Sequence, residues 1–289
     1  MTIKKTPKKS VKKAAKKAAK KIKEHTDEDG HSHFYKLVPN IMTLCALAAG
    51  LSSIQFAIDG SWEKAAIAIV FAGLFDVLDG ASARLLNATS EFGAQLDSLS
   101  DFLAFGIAPS VVLYLWILEE SGKIGWIAML VFAVATAMRL ARFNVSTKAS
   151  PKIWAKGFFE GVPAPGGAGL ALLPLFVWLI DPDYFEQFNA MNIVVGLWVL
   201  FCAGMMVSRI PTWSSKMIHV PKKMAMPALT IAGLIIAALI QAPWISLSII
   251  SIMYLGTIPF SIKHYKKLAR ENEQKVDLTD LALGISEED

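Results

Sequence analysis

Apolar runs of about 20 residues, each long enough to cross the hydrocarbon of a bilayer, recur through the middle of this 289-residue chain. Hydrophobic residues make up 54% of the sequence, and the mean hydropathy is +0.46. A soluble domain averages about 45–50% apolar. Within hydrocarbon, every backbone donor and acceptor must be satisfied inside the protein, which favours helices for runs of this kind. The expected fold class is therefore all-α: a polytopic membrane helix bundle of about eight transmembrane helices, flanked by polar tails.

The spans are expected at Val38–Ile58, Trp62–Leu86, Phe92–Leu118, Ile124–Arg142, Gly167–Ile180, Met191–Val207, Met224–Gln241 and Trp244–Ile262. Three regions follow: a lysine-rich tail over 1–36, a membrane domain over 37–262 and a C-terminal tail over 263–289. Basic and non-basic connections alternate along the chain. Arg84, then Arg139 to Lys156, then Arg209 to Lys223, and the tail from Lys263 are basic. The loops at Asp59–Lys64, Glu119–Lys123, Asp181–Glu186 and Gln241–Pro243 are not. The positive-inside rule then puts both termini in the cytoplasm, which an odd number of spans would not allow.

The net charge of +5 is concentrated at the start, where Lys4 to Lys23 is almost wholly Lys and Ala. No short apolar core with a cleavage site follows it, so it does not read as a secretory signal. It is expected to be disordered, with weak attraction to anionic lipid head groups. It lacks the aromatics or folded module of a nucleic-acid binder, and no nucleic-acid partner is expected. Cys45 and Cys202 both fall in apolar runs and read as packing residues.

The chemistry lies between the second and third spans. Asp76, Asp79, Asp97 and Asp101 sit at the ends of two consecutive apolar segments, where charged groups are costly and mark functional sites. Asp76 and Asp79 are one helical turn apart, as are Asp97 and Asp101, so each pair shares a face. Gly80, Ala83 and Gly93 leave room for a close approach. Four clustered carboxylates at low dielectric require protons or cations among them. An all-oxygen donor set suits a hard cation, Mg²⁺ or Mn²⁺, and two such ions suit phosphoryl displacement. Arg84 adds a positive group for a diphosphate. An ion or proton pathway would also bury carboxylates.

The stretch resembles the signature of the CDP-alcohol phosphatidyltransferase family, D-x2-D-G-x2-A-R-x8-G-x3-D-x3-D. Every fixed position is present: Asp76, Asp79, Gly80, Ala83, Arg84, Gly93, Asp97 and Asp101. The resemblance implies that Asp76 and Asp97 bridge two metal ions, that Asp79 completes the first site, and that Asp101 completes the second and serves as general base. It places the CDP-lipid at Gly80, Arg84 and Ser90, with further contacts around Pro39, Asn40 and Thr43. Leu37–Thr43, Arg139–Asn144, Gly161–Pro165 and Ser208–Pro211 look like the branch of the family that takes L-serine as acceptor. The implied donor is CDP-diacylglycerol. The implied setting is a homodimer integral to a bacterial cytoplasmic membrane, with the site facing the cytoplasm. Glycerol phosphate, inositol phosphate or choline would be other acceptors of the same chemistry.

Arg139, Arg142, Asn144 and Arg209 are candidate acceptor contacts. Each also has a plainer reading. The two arginines of the fourth span favour its C-terminal end and snorkel to the interface. Asn144 would cap a turn, and Arg209 would end the sixth span. The expected reaction is direct displacement, with a covalent phosphatidyl-aspartate as the rival route.

Overall fold

The computed structural model describes residues 37–86, 88–146, 157–183, 190–214 and 224–286, with backbone alone at 225 and 273–286. The lysine-rich segment 1–36 lies outside them. So do Lys148, Lys152, Lys156, Glu186, Lys216, Lys222 and Lys223, part of the charge pattern that sets the expected sidedness.

The described residues are almost entirely helical. The helices are α1 (Leu37–Ile58), α2 (Trp62–Leu85), α3 (Glu91–Phe102), α4 (Ala108–Trp116), α5 (Lys123–Ser146), α6 (Ala164–Ala171), α7 (Leu173–Ile180), α8 (Met191–Val207), α9 (Ala225–Gln241) and α10 (Pro243–Ser286). Two short strands, β1 (Phe158–Glu160) and β2 (Pro211–Trp213), complete it. Five segments are long and apolar enough to cross a membrane: α1, α2, the rod Glu91–Trp116, α5 and the first 30 residues of α10. Helices α8 and α9 are apolar but shorter.

The third expected span is a continuous rod with a defect in it. Residues Leu103–Ile107 form a π-helical turn between α3 and α4. Pro109 follows and has no N–H for the ladder, and Ala108 bonds back five residues to Leu103. The fifth expected span is two eight-residue helices rather than one. The chain leaves helical register at Leu172, and Pro174 opens α7. A proline is tolerated in the first turn, where its missing N–H has no partner in any case.

The core runs between α5 and α8, which pack extensively along each other. Phe132, Leu113, Leu118, Leu170, Val199 and Met206 are fully buried there. Trp198 Nε1 donates to the Leu170 carbonyl at 2.7 Å and fixes α8 against α6. Leu74, Val77, Val134 and Leu197 lie exposed on the outer faces, as lipid-facing positions do.

At one end of the bundle β1 and β2 pair antiparallel, with Phe159 opposite Thr212. Gly161 N donates to the Ile210 carbonyl at 2.8 Å, and Phe158 sits edge-on to Tyr265 of α10 at 5.2 Å. This ribbon joins the segments after α5 and α8 to the last helix. Phe159 also meets Phe143 of α5 at 6.3 Å.

Candidate active site

The α2–α3 connection is set by local chemistry. Ser90 caps α3, its Oγ accepting from the Gly93 N–H at 2.9 Å. Glu91 lies in the first turn of α3 and Arg84 in the last turn of α2, each favoured by the helix dipole at that end. The two helices therefore turn back on each other, and their carboxylates meet.

Asp76, Asp97 and Asp101 each offer a carboxylate oxygen within 4.8 Å of the others. All three are half-buried. This is a close all-oxygen donor set of the kind that holds a hard divalent cation. Asp79 stands slightly apart from the cluster. It is 5% exposed, and its Oδ2 accepts from the Thr43 hydroxyl at 2.6 Å. The sequence spacing alone puts Asp79 and Asp76 on one face; the contact with α1 is what draws Asp79 to the neighbouring compartment.

That compartment is a cleft of about 220 Å³ among α1, α2 and α3. Asn40, Thr43, Gly80, Arg84 and Ser90, the five residues expected to meet a CDP-lipid, all line it, together with Asp79 and Asp97. Asp97 belongs to both the cleft and the carboxylate cluster, so the two adjoin. The cleft depends on glycine at 93. A Cβ there would stand 3.0 Å from both Asn40 Oδ1 and Ser90 Oγ.

Further hydrogen bonds fix the frame. Ser100, 3% exposed, donates to the Thr43 carbonyl at 3.1 Å and ties α3 to α1. Asn144 Nδ2 donates to Ser98 Oγ at 3.0 Å and ties α5 to the residue after Asp97. Sequence spacing gives no hint of either bond, since each joins helices far apart in the chain.

The four acceptor candidates fall in different places. Arg139 is buried, stacks over Phe143 at 5.2 Å, and has Asp101 and Tyr254 within electrostatic reach. Asn144 borders the aspartates through Ser98. Arg142 Nη1 donates to the Val207 carbonyl at 2.8 Å, at the C-terminus of α8. Arg209 is exposed, just before β2. Tyr254, a polar aromatic in the last apolar run, escaped the sequence reading; its position in that run is the only local signal.

Comparison with known proteins agrees with this geometry. The family model described as CDP-alcohol phosphatidyltransferase matches residues 36–202, and that described as CDP-alcohol phosphatidyltransferase 2 matches residues 223–259. A Mycobacterium tuberculosis protein named CDP-diacylglycerol–serine O-phosphatidyltransferase is 33% identical over 239 residues, 82% of this chain and 82% of its own. The protein of that name from Mycobacterium leprae is 36% identical over 248 residues, 82% and 78% of the two chains. One from Helicobacter pylori is 38% identical over 175 residues, 60% and 70%.

Proposed function

The chain belongs to the CDP-alcohol phosphatidyltransferase family, and on that premise we propose that it transfers the phosphatidyl group of CDP-diacylglycerol to the hydroxyl of L-serine, giving phosphatidylserine and CMP. The observation that carries this reading is the shared residue Asp97, which joins a carboxylate cluster to a cleft lined by the residues of the CDP-lipid motif. The names of the mycobacterial and Helicobacter relatives support serine as the acceptor.

The donor set fits divalent cations, Mg²⁺ or Mn²⁺, and Asp76, Asp79, Asp97 and Asp101 are assigned as ligands of two ions. Ions bound there would activate the acceptor oxygen and offset charge on the departing phosphate. The remaining work falls to the chain. Arg84, Gly80, Ser90, Asn40 and Thr43 hold the CDP head of the lipid, with Arg84 facing its diphosphate. Asp101 accepts the proton of the serine hydroxyl. The serine oxygen forms its bond to the β-phosphorus, which carries the diacylglycerol, as the bond from that phosphorus to the CMP oxygen breaks. CMP then leaves. Arg139, Arg142, Asn144 and Arg209 are assigned to the acceptor side.

The same reading extends to architecture. The five long helices, the α6–α7 pair, α8 and α9 make eight membrane segments, with residues 1–36 and 263–289 as cytoplasmic tails. The site opens to the cytoplasm from a bacterial cytoplasmic membrane, and the chain acts as a homodimer. The alternation of basic and non-basic connections supports this sidedness.

The test is CMP release by purified protein given CDP-diacylglycerol, Mg²⁺ or Mn²⁺, and labelled L-serine beside other alcohols. Label entering a serine phospholipid in step with CMP is the expected result. CMP release only with another alcohol would keep the family chemistry and remove serine.

A further inference from the structure

Two donors on the α5–α10 side of the site donate to no hydrogen-bond acceptor among the described residues. Arg139 is 7% exposed, and among the described residues no carboxylate forms an ion pair with its guanidinium. The guanidinium stacks over Phe143 and has the Asp101 charge within electrostatic reach, without a direct bond to that carboxylate. The second donor is the Tyr254 hydroxyl, which is buried and without a hydrogen-bond partner. Buried phenols usually find one. Thr212 is close by; its hydroxyl donates to the Gly161 carbonyl at 2.8 Å and its oxygen stays open as an acceptor, so among the described residues it is the one side chain toward which the phenol can turn when no ligand is present. Arg139 lies within electrostatic reach of both Tyr254 and Asp101.

Packing rather than hydrogen bonding holds the phenol in place. A Cβ at Gly166 would stand 3.3 and 3.4 Å from Tyr254 Cε1 and Cζ, so the ring lies against α6 where glycine leaves room. One turn earlier on α10, Ser251 donates to the Gly169 carbonyl at 3.3 Å. The ring is therefore anchored on α6, and its hydroxyl is left to serve something else.

We infer that Tyr254 is a specificity-determining residue for the acceptor: its hydroxyl, with the Arg139 guanidinium, receives the carboxylate of the amino-acid alcohol whose hydroxyl faces Asp101. The inference rests on serine being the acceptor. An acceptor carboxylate needs hydrogen-bond donors, and Asp76, Asp97 and Asp101 offer it none. A guanidinium within electrostatic reach of Asp101, and a phenol within reach of that guanidinium, form such a pair. The hydroxyl and carboxylate of serine are separated by only two carbons, so a single small site must read both. Hydrogen bonds to an ionised carboxylate are the strong ones, which gives the pair its discrimination.

The full purified chain is assayed with CDP-diacylglycerol and either L-serine or serinol, which keeps the amine and hydroxyl and lacks the carboxylate. In the unsubstituted chain, serinol is expected to be used about tenfold less efficiently than serine, or worse. Tyr254→Phe, which removes one oxygen, is expected to raise KM for L-serine about tenfold while KM for CDP-diacylglycerol and kcat stay near their original values. An unchanged KM for serine overturns the inference. So does a fall in kcat at unchanged KM, which is the mark of a packing role, or equal use of serine and serinol by the unsubstituted chain. The unaltered KM for the lipid shows that the variant is folded. Turnover of other alcohols but not of serine by the unsubstituted chain removes the serine assignment, and this inference with it. Loss confined to the variant separates the two.

Discussion

The Thr43 hydroxyl donates to Asp79 Oδ2 at 2.6 Å and so links the first membrane helix to the second inside the site. Both residues are nearly out of contact with solvent, at 3% and 5% exposure. Hydrogen bonds to charged groups contribute about 1.5–3 kcal/mol, and removing the donor leaves a buried carboxylate short of a partner. Thr43→Val keeps the shape and removes the donor. It is expected to lower kcat/KM for CDP-diacylglycerol about tenfold or more, while Thr43→Ser retains most of the activity. Steady-state kinetics on the two variants check this, and equal rates for Val and Ser would show that the bond is idle.

Asp97 and Asp101 face the cluster from one side of α3. Asp97→Asn and Asp101→Asn are each expected to cut turnover by about 10²–10⁴-fold, with the protein still folded in the membrane. Exhaustive chelation is expected to stop the unsubstituted protein, and Mg²⁺ or Mn²⁺ to restore it. CMP release in purified samples, beside a monodispersity check, reads both effects. Activity that persists in Asp97→Asn would remove that residue from the metal site.

Gly93 is tested by adding a single carbon. Its Cβ would meet Asn40 Oδ1 and Ser90 Oγ at 3.0 Å, closer than such contacts settle, so both side chains must give by a few tenths of an ångström. Gly93→Ala is expected to raise KM for CDP-diacylglycerol several-fold, about 1 kcal/mol of binding, with KM for serine little changed. A variant with the original KM for the lipid would show that the cleft tolerates the displacement.

Arg142 and Asn144 lie two residues apart, and the structure separates their effects. Arg142 bonds the terminal carbonyls of α8, so Arg142→Ala is expected to lower thermal stability in detergent by about 1.5–3 kcal/mol. Asn144 holds Ser98 beside Asp97, so Asn144→Ala is expected to lower kcat several-fold with a smaller change in unfolding temperature. Thermal melts and kcat measured on the same preparations distinguish them. The reverse pattern would exchange their roles.

Much of the site was legible because its signal is local. The aspartates of each helix are a turn apart, and a turn apart in sequence is one face in space. The apolar runs located several helices closely, as at Met191–Val207, but α5 continues past Arg142 to Ser146 and α10 past Ile262 to Ser286. What was not legible depends on contacts far along the chain. The bond from Thr43 to Asp79 crosses 36 residues, and Phe159 pairs with Thr212 across more than 50. Neither leaves a periodic trace. The interruption at Leu172 and the π-turn at Leu103–Ile107 carry proline nearby, but composition alone does not say whether a proline bends, breaks or merely opens a helix. Tyr254 was hidden for a different reason. An aromatic in an apolar run is ordinary packing until the helix facing it is known.

Among the described residues, those lining the cleft run from Pro39 to Asp97, whereas Arg139 and Tyr254 come from the later part of the chain. On the proposed assignments, the order of the polypeptide separates what recognises the activated lipid from what recognises the alcohol. A chimaera that keeps the first 100 or so residues and borrows the remainder from a relative with another alcohol would retain its nucleotide-lipid chemistry and acquire a new product. Head-group diversity on such a scaffold would then come from exchanging one end of a gene.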